Sequence, residues 1–164
     1  MNIPIEISAR HVHLSQEDFE VLFGAGHELG HYRELSQPGQ FASEEKLVLE
    51  TSDGTIENVR IVGPLRDHTQ VELAWSDALR LGLKPPLRVS GDLNGALPVT
   101  IRGPKGVVKD RACAIVAQRH IHLNSAQAKE LGVTDGVEVS VRVTGVRASV
   151  FERVSVRVRD DFDL

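Results

Sequence analysis

Two short histidine motifs are the clearest chemical feature of this sequence. His11 and His13 are separated by one residue, and the same spacing recurs at His120 and His122. Alternate side chains of an extended segment point to the same side, about 6.5–7 Å apart along the backbone, so the two imidazoles of a pair can converge on one ion. Imidazole nitrogen is a common ligand of zinc. The motifs therefore predict metal binding.

The surroundings of the motifs favour a metal site over chance. A single pair of alternate histidines more often reflects packing or coincidence. Here residues 9–15 match residues 118–124, with an arginine before the first histidine, a leucine after the second, and then a helix-capping residue, Ser15 or Asn124. Each copy is predicted to have a strand before the histidines and a helix after them. This repeat indicates two related lobes.

A metal site of this kind needs a further ligand, and Glu72 is the best candidate. It lies between Val71 and Leu73 in a segment typical of a buried strand, where a carboxylate needs a partner such as a metal ion. The alternative is an exposed glutamate on the surface of a strand. Arg66 follows a Gly-Pro-Leu turn, and its guanidinium is suited to bind phosphate through two hydrogen bonds. The alternative for Arg66 is a solvated surface arginine.

The other histidines and the single cysteine are weaker candidates. His27, His31 and His68 have no paired spacing, so we expect them at the surface or as supports of the site. Cys113 lies in the apolar run 112–117. It is predicted to be a small buried hydrophobic residue, which is the usual place of a free cysteine.

Length and composition restrict the classes of function. The 164 residues fit one large domain or two small ones, and with 4% aromatic residues the core must be mostly aliphatic. A net charge of −4 argues against a nucleic-acid-binding protein. No apolar run approaches the roughly 20 residues of a membrane span, and the N-terminus has no basic and apolar secretory signal. We expect a cytoplasmic protein.

Most of the chain is typical of short strands separated by turns. Runs of Val, Ile and Leu predict strands at 45–50, 55–62, 87–90, 97–102, 113–117, 137–143 and 152–159. Many short strands at this spacing indicate small barrels. Three short helices are predicted at about 16–23, 77–81 and 125–131, capped by Ser15, Ser76 and Asn124 and each followed by glycine.

These residues resemble a known family, the PduL-type phosphotransacylases, or phosphate propanoyltransferases. The matching segments are 8–15, 35–42, 63–66 with 69–72, 90–92 and 119–122. They occur in the same order, and the resemblance extends from about residue 5 to the last residue. Five motifs in register make the resemblance specific.

The resemblance implies a mainly β fold of two small β-barrels capped by short α-helices. The first barrel domain is expected at 10–117. The second is expected at 118–164, completed by an N-terminal strand at 1–9 that crosses over to it.

The resemblance also implies a two-zinc site between the barrels. His11, His13 and Glu72 match the ligands of one zinc, and His120 and His122 match ligands of the other. The family continues past the position of Leu164 into a segment whose histidine completes the second set. The residues that match substrate-binding positions are Arg66 for phosphate and Ser8, Arg33 and Arg60 for coenzyme A.

The resemblance implies a reversible, zinc-dependent phosphate acyltransferase that converts a short-chain acyl-CoA and phosphate to acyl phosphate and CoA. Its partners are these small molecules, and a homodimer is expected. The N-terminus lacks the extension found in members packaged in bacterial microcompartments, so a free cytosolic enzyme is expected. The alternatives are a zinc-dependent thioester hydrolase and a non-catalytic module that binds metal or nucleotide.

Overall fold

The structure is a computed structural model that describes residues 4–162. The chain separates into two compact units. The barrel unit comprises Ile7–Leu35 and Gly39–Ala117. The small unit comprises, within the described part, residues 4–6, 36–38 and 118–162. Among the described residues, no helix has the length and apolar character needed to cross a membrane.

The barrel unit contains eight strands and two helices. Its elements are β1 (His11–His13), α1 (Gln16–Phe23), β2 (His31–Glu34), β3 (Phe41–Glu50), β4 (Thr55–Gly63), β5 (Gln70–Leu73), α2 (Trp75–Arg80), β6 (Leu87–Arg88), β7 (Leu97–Arg102) and β8 (Val107–Ala117). Six of the strands close into a barrel in the order β3-β4-β1-β5-β8-β7, and β7 returns to β3. Strand β2 pairs with β3, and β6 pairs with β8.

Aliphatic side chains fill the barrel, as the strand patterns require. Leu49, Ile61 and Val71 have no exposed surface, and they lie on three different strands of one core cluster. Helix α1 adds Phe19 and Leu22 to the same cluster. Burial of large aliphatic side chains such as these contributes about 1.5–3 kcal/mol each relative to exposure. This core holds β1 between its neighbours.

The small unit repeats part of this arrangement. It contains β9 (His120–Leu123), α3 (Ser125–Leu131), β10 (Glu138–Val143) and β11 (Ser149–Val158), with the sheet order β10-β11-β9. Strand β9 pairs in parallel with β11, as β1 pairs in parallel with β4. The main hydrophobic cluster of this unit is small and contains the buried residues Leu123, Ala128 and Val156.

The mainly β fold and the first barrel are confirmed, whereas the second lobe differs from its prediction. In the described residues the small unit is an open three-stranded sheet and not a closed barrel. Residues 4–10 form no strand, so the strand expected at 1–9 is not formed over 4–9, and residues 1–3 lie outside the described part. The histidines themselves occupy the short strands β1 and β9.

Two predicted helices have the predicted bounds, and the third differs. The hydroxyl of Ser15 accepts a hydrogen bond from the Asp18 N–H, and Asn124 forms a capping box with Gln127. Helix α2 begins at Trp75, two residues earlier than predicted, and Ser76 is not its cap. The chain turns into this helix directly after β5, and no side chain caps its start. Its first hydrogen bond joins the Ala78 N–H to the Ala74 carbonyl.

The strands differ mainly in length. Strands β3 and β8 begin earlier than the predicted 45–50 and 113–117, because their first halves pair with β2 or β7 despite charged residues. Strand β6 has two residues where 87–90 was predicted. The short strands β1, β2 and β9 have too few residues for their alternation to be recognised in the sequence.

Candidate functional site

Strand pairing brings His11, His13 and Glu72 together on one face of the barrel. Strand β1 is antiparallel to β5, and the register places His11 directly opposite Glu72. One ligand atom from each of the three side chains lies within 4.8 Å of the others. His11 Nε2 is 3.6 Å from Glu72 Oε2, and His13 Nε2 is 3.9 Å from Glu72 Oε1. The predicted cluster is therefore formed.

Backbone carbonyls fix which ring nitrogen each histidine presents. His11 Nδ1 is 2.8 Å from the Ala9 carbonyl oxygen, and His13 Nδ1 is 3.0 Å from the Val62 carbonyl oxygen. A carbonyl oxygen only accepts hydrogen bonds, so Nδ1 carries the proton in both rings. The lone pairs of both Nε2 atoms then face the carboxylate. Metal-binding histidines commonly have this arrangement.

Burial keeps His13 neutral. The side chain is 2% exposed, and Glu72 beside it is 6% exposed. Burial, followed by electrostatic interactions with His11 and Arg66, lowers the pKa of His13 from 6.5 to about 2. A ligand with so low a pKa is already deprotonated at neutral pH, so protons do not compete with a metal for it.

Arg66 lies beside this cluster. Its backbone N–H donates a 2.8 Å hydrogen bond to the carbonyl of Leu14, the residue after His13, and Arg66 forms an isolated β-bridge with Ser15. The charge of Arg66 contributes to lowering the pKa of His13, as does His68 to a smaller extent. Ser15, Arg66 and His68 also line one cavity of about 470 Å³. Arg66 is thus partly buried next to the candidate ligands.

The second histidine pair repeats the local geometry of the first. His120 Nδ1 is 2.9 Å from the Gln118 carbonyl oxygen, as His11 Nδ1 is close to that of Ala9. The two rings are 4.8 Å apart, and His122 packs on Phe162. His122 Nε2 is buried and has no hydrogen-bond partner among the described residues. Burial, with the charge of His120 as the next cause, lowers the pKa of His122 to about 4.

The two histidine pairs differ in their surroundings. Within residues 4–162, His11, His13 and Glu72 are the only group in which three potential metal ligands converge. His120 is exposed and His122 is half-buried, whereas His13 is buried. Both pairs present nitrogen donors, and the first adds a carboxylate oxygen.

The three residues that the resemblance matches to coenzyme A contacts lie in different segments of the barrel unit. Ser8 is exposed in the segment before β1, and Arg33 is exposed on β2. Arg60 is opposite His11 on β4. Its guanidinium lies over the Tyr32 ring at 4.4 Å and donates to the Ser43 carbonyl. The structure therefore places Arg60 near the cluster, with Ser8 three residues before His11 in the chain.

Sequence reasoning did not identify every polar residue of this face. Gln70 is fully buried, and its side chain bonds to Glu72. The spacing of the two residues, i and i+2 on a strand, was the available signal. Asp18, three residues after the cap Ser15, is also buried and accepts hydrogen bonds from Thr69 and Arg111.

The remaining candidates behave as predicted. His27, His31 and His68 are all exposed, and the first two pair with Glu45 and Glu34. Cys113 is 1% exposed and packs in the core. Burial raises the pKa of its thiol to about 12. A thiol in this state is not a nucleophile at neutral pH.

Known proteins are similar to this chain over nearly its whole length. The model of the phosphate propanoyltransferase family matches residues 4–164. A phosphate propanoyltransferase of Thermotoga maritima is 48% identical over 163 residues, covering 99% of this chain and 78% of the relative. The enzyme of the same name from Rhodopseudomonas palustris is 45% identical, covering 96% of this chain and 70% of the relative. That from Alkaliphilus metalliredigens is 43% identical over 100% of this chain and 77% of the relative. The chain belongs to the phosphate propanoyltransferase family of acyltransferase enzymes.

Proposed function

We propose that this protein transfers a short-chain acyl group reversibly between coenzyme A and inorganic phosphate, with zinc as its metal. The observation that carries the proposal is the convergence of two Nε2 atoms and a buried carboxylate beside Arg66. Family membership supports the class of reaction.

The residues of the first cluster fit a zinc ion. They offer two imidazole nitrogens and one carboxylate oxygen, a donor set used by catalytic zinc sites with a further position open. The hydrogen bonds of Nδ1 to backbone carbonyls leave both Nε2 lone pairs available. The Nε2 of His122, which has no hydrogen-bond partner within residues 4–162, supports a second metal position at His120 and His122. When bound, zinc acts as a Lewis acid towards the thioester carbonyl and the leaving thiolate.

Arg66 is proposed to hold the phosphate nucleophile. Its backbone pairs with Leu14 and Ser15, the two residues that follow His13 in the chain. The side chain of Arg66 therefore begins close to the candidate ligands. A guanidinium can bind two phosphate oxygens at once, which makes attack on a neighbouring thioester effectively intramolecular. Ser8, Arg33 and Arg60 are proposed to contact coenzyme A. The position of Arg60 opposite His11 supports this role best.

The reaction is proposed to proceed by direct attack. A phosphate oxygen forms a bond to the thioester carbonyl carbon, the carbon–sulfur bond breaks, and coenzyme A leaves as a thiolate that takes up a proton. The buried, high-pKa thiol of Cys113 supports this route, because the chain's one cysteine is unsuited to form an acyl-enzyme.

A zinc-dependent thioester hydrolase is the second candidate, because His11, His13 and Glu72 would also suit a zinc ion that activates water in place of phosphate as the nucleophile. The test is thiol release from propanoyl-CoA with and without phosphate. We expect release to require phosphate and to yield acyl phosphate. Equal release without phosphate, with free acid as product, would favour the hydrolase.

Metal content tests the site itself. Purified protein is expected to contain at least one zinc per chain, and a His11→Ala/His13→Ala variant is expected to lose it. If zinc-loaded protein catalyses neither reaction, the remaining alternative is a non-catalytic module that binds metal or nucleotide.

The homodimer is likewise proposed from the family resemblance, and light scattering checks it against the 18.0 kDa chain mass. A cytoplasmic location outside microcompartments belongs to the same proposal.

A further inference from the structure

A buried glutamine lies on the same face as the candidate metal ligands. Gln70 has no exposed surface and is two residues before Glu72 on β5. The β1–β5 register places Gln70 opposite His13, just as Glu72 is opposite His11. Directly opposite side chains of antiparallel strands have Cβ atoms about 4.5–5.5 Å apart. Gln70 therefore completes a two-by-two block with the three candidate ligands.

The amide of Gln70 is fixed at both ends. Its Nε2 donates to Glu72 Oε1 at 2.7 Å and to Ser90 Oγ at 2.9 Å, and its Oε1 accepts from the Gly91 N–H at 2.8 Å. A backbone N–H only donates, so Gly91 determines which end of the amide is the oxygen. The NH2 group must then face Glu72.

The turn that holds Gln70 has a backbone suited to glycine. Gly91 has a φ of 100°, a region that residues with a Cβ rarely adopt. Its N–H is directed at the Gln70 side chain, and the neighbouring Ser90 hydroxyl accepts from the same amide. The Ser90–Gly91 turn and β5 are thus linked through one side chain.

This link restricts the carboxylate. Gln70 binds Oε1 of Glu72, and Oε2 lies 3.6 Å from His11 Nε2. A carboxylate without this partner could rotate about its terminal bond, a torsion with a broad energy profile. Losing a hydrogen-bond partner of a metal ligand typically lowers metal affinity by about 10–100-fold.

We propose that Gln70 is a positioning residue that holds the Glu72 carboxylate towards His11 and His13 and connects the metal site to the Ser90–Gly91 turn. The proposal rests on the proposed metal site and adds a residue that supports a ligand without binding the metal itself. Its effect is on metal retention and on ligand geometry.

The test compares metal binding by wild type, Gln70→Met and Gln70→Asn. Methionine keeps the volume but has no N–H, and asparagine keeps the amide but is one methylene too short to reach both Glu72 and Gly91. The matched control is Gln16→Met, which removes an exposed Gln16–Glu20 hydrogen bond of the same 2.7 Å length. Zinc affinity is measured by competition with a chromophoric chelator, and cobalt(II) is substituted to record its ligand-field spectrum.

Both Gln70 variants are expected to bind zinc about 10–100-fold more weakly and to change the cobalt spectrum, whereas Gln16→Met leaves both unchanged. Urea unfolding of the metal-free proteins separates this effect from loss of the fold. If Gln70→Met does not fold, Gln70→Asn gives the result. Folded Gln70 variants with wild-type zinc affinity and cobalt spectrum would overturn the positioning role alone. A folded wild-type protein that binds no zinc would overturn the proposed metal site and, with it, this role.

Discussion

At the scale of single residues, the site depends on which nitrogen each imidazole presents. The carbonyls of Ala9 and Val62 accept from Nδ1, so the Nε2 atoms of His11 and His13 both face Glu72. This tautomer is set by backbone that the strands hold in place. The neutral state of His13 follows from its burial and from its electrostatic interactions with His11 and Arg66.

Arg66→Lys tests the proposed phosphate contact. Lysine keeps the charge but loses the planar fork that binds two oxygens. Losing a charge-assisted hydrogen bond of this kind costs about 1.5–3 kcal/mol, or roughly ten- to a hundredfold in phosphate affinity or rate. Steady-state kinetics with phosphate as the varied substrate measure the effect.

The controls for Arg66→Lys are zinc content and the apparent affinity for coenzyme A. Zinc content is expected to stay at the wild-type value, because arginine is not a metal ligand. The affinity for coenzyme A is expected to change little if its phosphates bind to Arg33 and Arg60. Unaltered phosphate dependence in the variant would remove Arg66 from the active site.

At the scale of elements, β1 determines the site. It has three residues and lies between β4, to which it is parallel, and β5, to which it is antiparallel. The spacing of His11 and His13 was readable in the sequence, because both lie on one short strand. Their pairing with Glu72 required a register between segments about 60 residues apart, and no local pattern determines it.

The start of a helix was predicted correctly where a side chain caps it and incorrectly where none does. Ser15 and Asn124 use their side chains as caps, and both helices begin where the sequence predicts. Helix α2 has no side-chain cap, so Ser76 misled the prediction. The open sheet of the small unit was not predictable from strand alternation, since alternation does not report whether a sheet closes.

The capping box of α3 is expected to stabilise the small unit. Asn124 Oδ1 accepts from the Gln127 N–H at 2.9 Å, and Gln127 Oε1 accepts from the Asn124 N–H at 2.9 Å. Asn124→Ala is expected to lower the free energy of unfolding by about 1 kcal/mol. Asn124→Ser, which keeps an acceptor, should fall within a few tenths of wild type. Urea unfolding measures both, and equal stability of the two variants would contradict the role of the cap.

At the scale of the whole molecule, histidines that the fold keeps neutral, one buried and one half-buried, predict an acid-sensitive metal-free protein. The pKa values of His13 and His122 are lowered from 6.5 to about 2 and about 4. Below pH 6.5 the unfolded chain therefore takes up protons that the folded chain does not. The stabilisation is fully present above pH 6.5 and is lost as the pH falls towards the folded-state pKa values.

Each such histidine contributes up to about 1.4 kcal/mol of lost stability per pH unit in that range. Urea unfolding of chelator-treated protein at pH 7.5, 6 and 5 measures the slope. His13→Asn is expected to flatten it, because the variant has no imidazole to protonate in the unfolded state. A slope equal to that of wild type would show that His13 is not held neutral by the fold.

The reverse reaction distinguishes a phosphate acyltransferase from a thioester hydrolase. A phosphate acyltransferase must form a thioester from acyl phosphate and coenzyme A, whereas a thioester hydrolase has no route to that product. Zinc-loaded protein is therefore incubated with propanoyl phosphate and coenzyme A while thioester absorbance and free thiol are recorded. We predict that thioester appears in equal amount to the thiol consumed, and that the His11→Ala/His13→Ala variant forms none. Folded, zinc-loaded protein that forms no thioester but cleaves propanoyl-CoA equally with and without phosphate would contradict the proposed transferase activity.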